Sequence, residues 1–288
     1  MRPKFYSDSM LCSHYDNLLA LLNPSSYRYP EAEEIAQPPN THDLYHLLLN
    51  RRTQFEPIIN RAADSFPFRL GKYAESLIAL ALELQKPYLK MRYLCGLQIH
   101  NKFGATQGEL DFIVARDTNV EHWELAVKYY LECVLTSGVS MWLGPQLKDA
   151  LSLKLTKFRD QQVPLGQRYG QDVLSDFGGS GPLNSKLLVP GRRFYEGSHF
   201  SDGVWLRWCD FSDHSGFYCI VPRRCWINPF AHTVRQKASA SELSNAHSGE
   251  QLMIGRVLGD VVSEVAFLVP DDWKQCAEVY AKELLREE

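Results

Sequence analysis

In the stretch LGKYAESLIALALELQKP, Leu70, Tyr73, Leu77, Leu80 and Leu84 recur at spacings of three and four, and Pro87 ends the pattern. That period predicts an amphipathic helix. The period then shortens. Cys95, Leu97 and Ile99 alternate with other residues, a turn over Lys102 to Gln107 follows, and QGELDFIV (107–114) alternates again, so two strands joined as a hairpin are predicted. In an extended chain residues i and i+2 share a face. Leu110, Phe112 and Val114 therefore lie on one face of the second strand, and Glu109 and Asp111 on the other.

The flanking regions read less uniformly. Residues 1 to 40 are punctuated by Pro24, Pro30, Pro38 and Pro39, after which Thr41 or Asp43 can cap a helix through Leu44, Leu47, Leu48 and Leu49. The run EHWELAVKYYL (121–131) fits two patterns. As a strand it groups Glu124, Ala126, Lys128 and Tyr130; as a helix it groups Trp123, Val127, Tyr130 and Val134 and makes Glu124 and Lys128 an i,i+4 pair. Leu147, Leu151, Leu155 and Phe158 then form a helical stripe, with Lys148, Lys154, Lys157 and Arg159 off it. From about residue 164, Gly166, Gly170, Gly178, Gly179, Gly181, Pro182, Pro190 and Gly191 interrupt the chain. The runs GVWLRWCDF, SGFYCIVP and EVAFLVPDDW beyond them favour β structure, and a helix is predicted over 272–285. The organisation predicted is a helical N-terminal extension (1–65), an α/β core (66–163) and a β-rich C-terminal module with a terminal helix (164–288).

Composition narrows the function classes. With 288 residues, 45% of them hydrophobic, the chain can bury one sizeable core and a second, smaller one. Its formal net charge of −3 gives no global positive field, so any contact with nucleic acid needs a local patch. Seven cysteines without a CxxC pair, in a chain with no secretory signal sequence, point to reduced thiols and a cytoplasmic location. No apolar run approaches the roughly 20 residues of a membrane helix. HExxH, zinc-ribbon, Walker, GxSxG and dinucleotide patterns are absent from the sequence, and no zinc site is expected.

One order of residues carries chemistry: Glu75 in a helix, Asp111 in the strand after a glycine-led turn, then Glu124 and Lys128 in the next element. Through LGKYAE (70–75), GELDFIV (108–114) and WELAVK (123–128), the middle third of the chain resembles the PD-(D/E)XK nuclease-like superfamily. With HWELAVKYYL, WLGPQLKDALSLKL (142–155), RCWINP (224–229) and FLVPDDW (267–273), the chain also resembles a bacterial family, the domain of unknown function 1853, grouped with those nucleases. The resemblance resolves 121–131 as a strand. It implies a restriction-endonuclease-like core with a mixed sheet flanked by helices. It further implies Mg²⁺- or Mn²⁺-dependent hydrolysis of phosphodiester bonds in DNA or RNA. Asp111, Glu124 and Glu75 would be metal ligands and Lys128 would stabilise charge, with Glu109 a lesser candidate. The chemistry suits these residue types, because Mg²⁺ takes one or two carboxylates plus waters and phosphate oxygens.

One position departs from the pattern. The acid usually stands two residues before the lysine, where this chain has Ala126, and Glu124 stands four before. The alternative implied is a nuclease fold without turnover that binds nucleic acid or a protein partner. Plainer readings stay open for single residues. Glu124 and Lys128 could be a surface pair, Glu109 and Asp111 the solvent face of an amphipathic strand, and the 148–159 helix a solvated face. Arg192, Arg193, Arg223 and Arg224 interleave with Tyr195, Trp205, Trp208 and Trp226. They could contact single-stranded substrate, although core aromatics with exposed arginines are the commoner arrangement.

Overall fold

The computed structural model describes residues 10–23, 29–101, 103–176, 183–247 and 249–287. Pro24, Lys102, Gly178, Gly179, Gly181 and Pro182 lie outside the described residues. The architecture is mixed α/β, and the chain divides into two compact units that are both discontinuous in sequence. One comprises His14–Lys128 with Lys154–Gly191; the other comprises Met1–Ser13, Tyr129–Leu153 and Arg192–Glu288.

The first unit begins with helices His14–Leu22, Pro30–Glu33, His42–Asn50, Arg52–Ala63 and Leu70–Leu84. Buried polar side chains fix how they pack: the Tyr15 hydroxyl donates to Leu48 O at 2.6 Å, and the Tyr73 hydroxyl meets His14 Nδ1 at 2.7 Å and Asn17 Nδ2 at 3.0 Å. The Leu70–Leu84 helix buries Tyr73, Ala74, Leu77, Ile78, Ala81 and Leu82, a stripe at the helical period that leaves Glu75 off the core. Thr41 precedes its helix without capping it, its hydroxyl donating instead to Leu22 O.

Four strands form this unit's mixed sheet in the order Arg92–His100, Thr106–Arg116, Asn119–Leu125, Asn184–Leu188. The first three are antiparallel neighbours, so the hairpin is present, and the fourth runs parallel to Asn119–Leu125. The backbone hydrogen bonds from Ala126 N to Leu188 O and from Lys128 N to Pro190 O continue that pairing beyond Leu125. The 121–131 run is therefore extended. Ile99, Leu110, Ile113 and Ala115 pack with Leu165, Leu174 and Leu183, so the Val163–Asp176 helix covers the sheet.

Two helical segments between residues 147 and 176 differ from the sequence expectation. The stripe from Leu147 does not start a helix, because Leu147 has a left-handed φ of +52°, which a right-handed helix cannot include; the helix spans Leu151–Lys157. Gly166 and Gly170 do not break the chain but lie inside the Val163–Asp176 helix, which follows a five-residue π-helical turn, Phe158–Gln162. Gly166 is needed there for close approach. A Cβ at this position would lie 2.7 Å from Ser185 Oγ and 2.9 Å from His122 Nδ1.

The second unit holds a seven-stranded mixed sheet in the order Tyr218–Ile220, Leu252–Leu258, Val261–Val269, Val204–Arg207, Gly191–Glu196, Lys128–Val134, Ser140–Leu143. Trp208–Phe211 is a short helix, so only the first half of GVWLRWCDF is strand. Trp205 and Trp208 are core residues, and their indole N–H groups donate to Glu132 O and Glu250 O, as buried tryptophans require. Arg192, expected on the surface, is 6% exposed and pairs with Asp202 at 2.7 Å. The last element is the helix Trp273–Glu287.

Candidate functional site

The strand register builds the site. Phe112 pairs with Trp123 and Ile113 with His122, so one further step along the same antiparallel register sets Asp111 opposite Glu124. Two carboxylates face each other across the strands, an arrangement that is unfavourable unless a proton or a cation relieves it. Asp111 Oδ2 accepts the Leu125 N–H at 2.9 Å. Burial first, and then the Glu124 charge, push the Asp111 carboxyl up to about 7; the Leu125 N–H opposes this, and Glu75 adds to it.

Glu124 is 3% exposed. Its Oε1 accepts from Gln162 Nε2 at 2.7 Å, a side chain supplied by the π-helical turn, and its Oε2 lies 3.7 Å from His122 Nε2. Neither of those two facing atoms has a hydrogen-bond partner. On its other side His122 Nδ1 lies 3.1 Å from Ser185 Oγ, which donates to Val163 O at 3.3 Å. The serine oxygen is then left to accept from His122 Nδ1–H, and the Nε2 lone pair points at the carboxylate. Two acceptors at that distance leave a position that a shared cation would fill.

Two of the other expected residues, Glu75 and Glu109, meet at one lysine. Glu75 is held by Lys72 at 2.7 Å, and the same ammonium lies 3.4 Å from Glu109, so Lys72 bridges the helix and the strand at the edge of the cluster. Lys128 follows Ala126 along the extended chain. Lys154, from the basic helix, has its ammonium pushed below the usual lysine range by burial; Glu124 and Asp111 oppose the shift, and Lys128 and Lys157 add to it. Its Nζ sits 4.1 Å from the centre of the Phe158 ring. A cleft of about 480 Å³ opens beside the network, with Val163, Gln167, Ser185 and Lys186 in its wall.

Of the residues in this cluster, the sequence singles out Asp111, Glu124 and Glu75, and it does not single out His122, Gln162 or Ser185. His122 stands two residues before Glu124, so strand alternation alone puts both on one face. Lys154 carried a weaker signal, as one of several lysines off an apolar stripe. Gln162 and Ser185 carried none, because the fold brings them in from distant segments.

The fold and the cluster together define a mixed α/β protein with a charge-frustrated carboxylate pair. The chain belongs to the family described as a domain of unknown function (DUF1853), whose model matches residues 12–262. No curated protein and no solved structure matches it. Among the described residues no helix is long and apolar enough to cross a membrane.

Proposed function

We propose that the unit containing Asp111 and Glu124 is a PD-(D/E)XK-like, Mg²⁺- or Mn²⁺-dependent nuclease that hydrolyses phosphodiester bonds in DNA or RNA. The observation that carries this reading is the Asp111–Glu124 pair, a half-buried and a buried carboxylate set opposite each other, with Glu124 Oε2 lacking a hydrogen-bond partner. Oxygen donors of this kind suit a hard divalent cation that keeps several waters. Asp111 and Glu124 would hold the cation, assisted by Glu75, whose charge already acts on Asp111. When bound, it supplies charge neutralisation and a more acidic water. Lys154, whose ammonium interacts with Glu124 and Asp111, supplies positive charge suited to an anionic transition state, and Lys128 would add to it. Gln162 fixes one oxygen of Glu124 and leaves the other available.

The second reading, a nuclease fold that binds nucleic acid or a protein partner without turnover, is favoured by Ala126 at the position where the pattern has an acid. One experiment separates them. Single-stranded, duplex, flapped and branched DNA, and RNA, are incubated with Mg²⁺ or Mn²⁺ and wild type, Asp111→Asn, Glu124→Gln or Lys128→Ala. Metal-dependent cleavage that falls at least about a hundredfold in the variants supports the nuclease. Absence of cleavage on every substrate, with no metal binding by calorimetry, sinks it in favour of the binding protein.

A further inference from the structure

We propose that Cys12, Cys225 and His232, in the β-rich unit, form a zinc-binding site that pins the N-terminal strand to that unit. The donor atoms of these three side chains lie within 4.8 Å of one another, the one such trio of His, Cys, Asp or Glu among the described residues. Spacing along the chain gives no sign of it.

Three segments assemble the trio. Met10–Leu11 pairs antiparallel with Thr233–Val234, Met10 opposite Val234 and Leu11 opposite Thr233. One more step in that register sets Cys12 opposite His232, and the Ser13 N–H donates to His232 Nδ1 at 3.0 Å. Cys225 comes from the 3₁₀ turn Arg223–Trp226, held by the Cys225 N–H to Pro222 O and the Trp226 indole N–H to Val221 O, both at 2.8 Å. Cys225 and His232 are each 1% exposed, whereas Cys12 is partly exposed and offers a way in.

The donor set selects the ion. Two thiolates and an imidazole are soft to borderline ligands that favour zinc over magnesium. A tetrahedral zinc with bonds of about 2.0–2.3 Å spaces its donors roughly 3.5–3.8 Å apart, a small contraction from the spacing present. Three protein donors leave a fourth position for water or another ligand. Binding also changes one hydrogen bond. Coordination through Nδ1 takes the lone pair that Ser13 N–H uses, and coordination through Nε2 moves the ring proton to Nδ1, so either mode ends that contact.

The full chain, purified with a reductant and without chelator, is analysed for metal and titrated with Zn²⁺ and Co²⁺. The expected result is about one zinc per chain and a thiolate-to-cobalt charge-transfer band. Both should fall at least about tenfold in Cys225→Ser and His232→Ala and persist in Cys95→Ser. The wild-type cobalt spectrum decides the matter even where a variant fails to fold. No zinc and no cobalt band in the reduced wild type overturns the proposal, as does a Cys12–Cys225 disulfide in a protein that stays metal-free after reduction.

Discussion

Asp111 shows how one residue's surroundings set its chemistry. Its carboxyl titrates at about 7 in the folded chain against 3.8 ordinarily. Between those values the folded state keeps a proton that the unfolded chain has released, so without metal, stability falls as pH rises through this window and levels off above it. Asp111→Asn removes that dependence. At pH 8 the variant is expected to be more stable than wild type by roughly 1–3 kcal/mol, measured by urea denaturation without divalent cations; equal or lower stability would contradict the frustration argument. A cation at the pair must displace the same proton. Mg²⁺ or Mn²⁺ affinity should therefore climb up to roughly tenfold per pH unit below 7 and flatten above it, as calorimetry across that range would show.

At the scale of elements, close approach fixes which strand lies beside which. The chain leaving the first unit passes Lys128 so closely at Gly191 that a Cβ there would overlap the Lys128 carbonyl oxygen. Backbone cannot yield as a side-chain tip can. Gly191→Ala is expected to cost about 2 kcal/mol or more. Gly71→Ala, in a helix with nothing within 4 Å, should instead gain up to about 1 kcal/mol. Thermal melts of both variants check the pair, and similar shifts would refute the distinction. The elements also show where sequence reading succeeds. The Leu70–Leu84 helix was legible because it buries one face, which imprints its period on the sequence. The 92–116 hairpin was legible from its alternation and turn, although Phe112, Ile113, Val114 and Ala115 are buried on both faces of the second strand. The π-helical turn and the helix running through Gly166 were not, because packing against His122 and Ser185 outweighs the local preference of glycine for turns.

For the whole molecule, the two units interleave along the chain. Asn184–Leu188 lies beyond the change of texture near residue 164, yet it pairs with the strand that carries Glu124. A fragment of residues 1–163 would lose that strand together with the Val163–Asp176 helix, exposing a sheet edge and the apolar surface of Leu110 and Ile113. It is expected to lack a cooperative unfolding transition and near-UV circular dichroism, whereas a fragment that retains both would show that the unit does not need its second segment.

The sequence by itself determined the long periodic elements, because side-chain period is a local property, whereas the mixed sheet and the acids Glu75, Asp111 and Glu124 were singled out through a family resemblance. Only the tertiary structure decided that Asp111 stands opposite Glu124, that Gln162 and Ser185 complete their surroundings, and that Cys12 meets Cys225 and His232. Those juxtapositions depend on strand register and on contacts between segments far apart in the chain, and no local pattern encodes them.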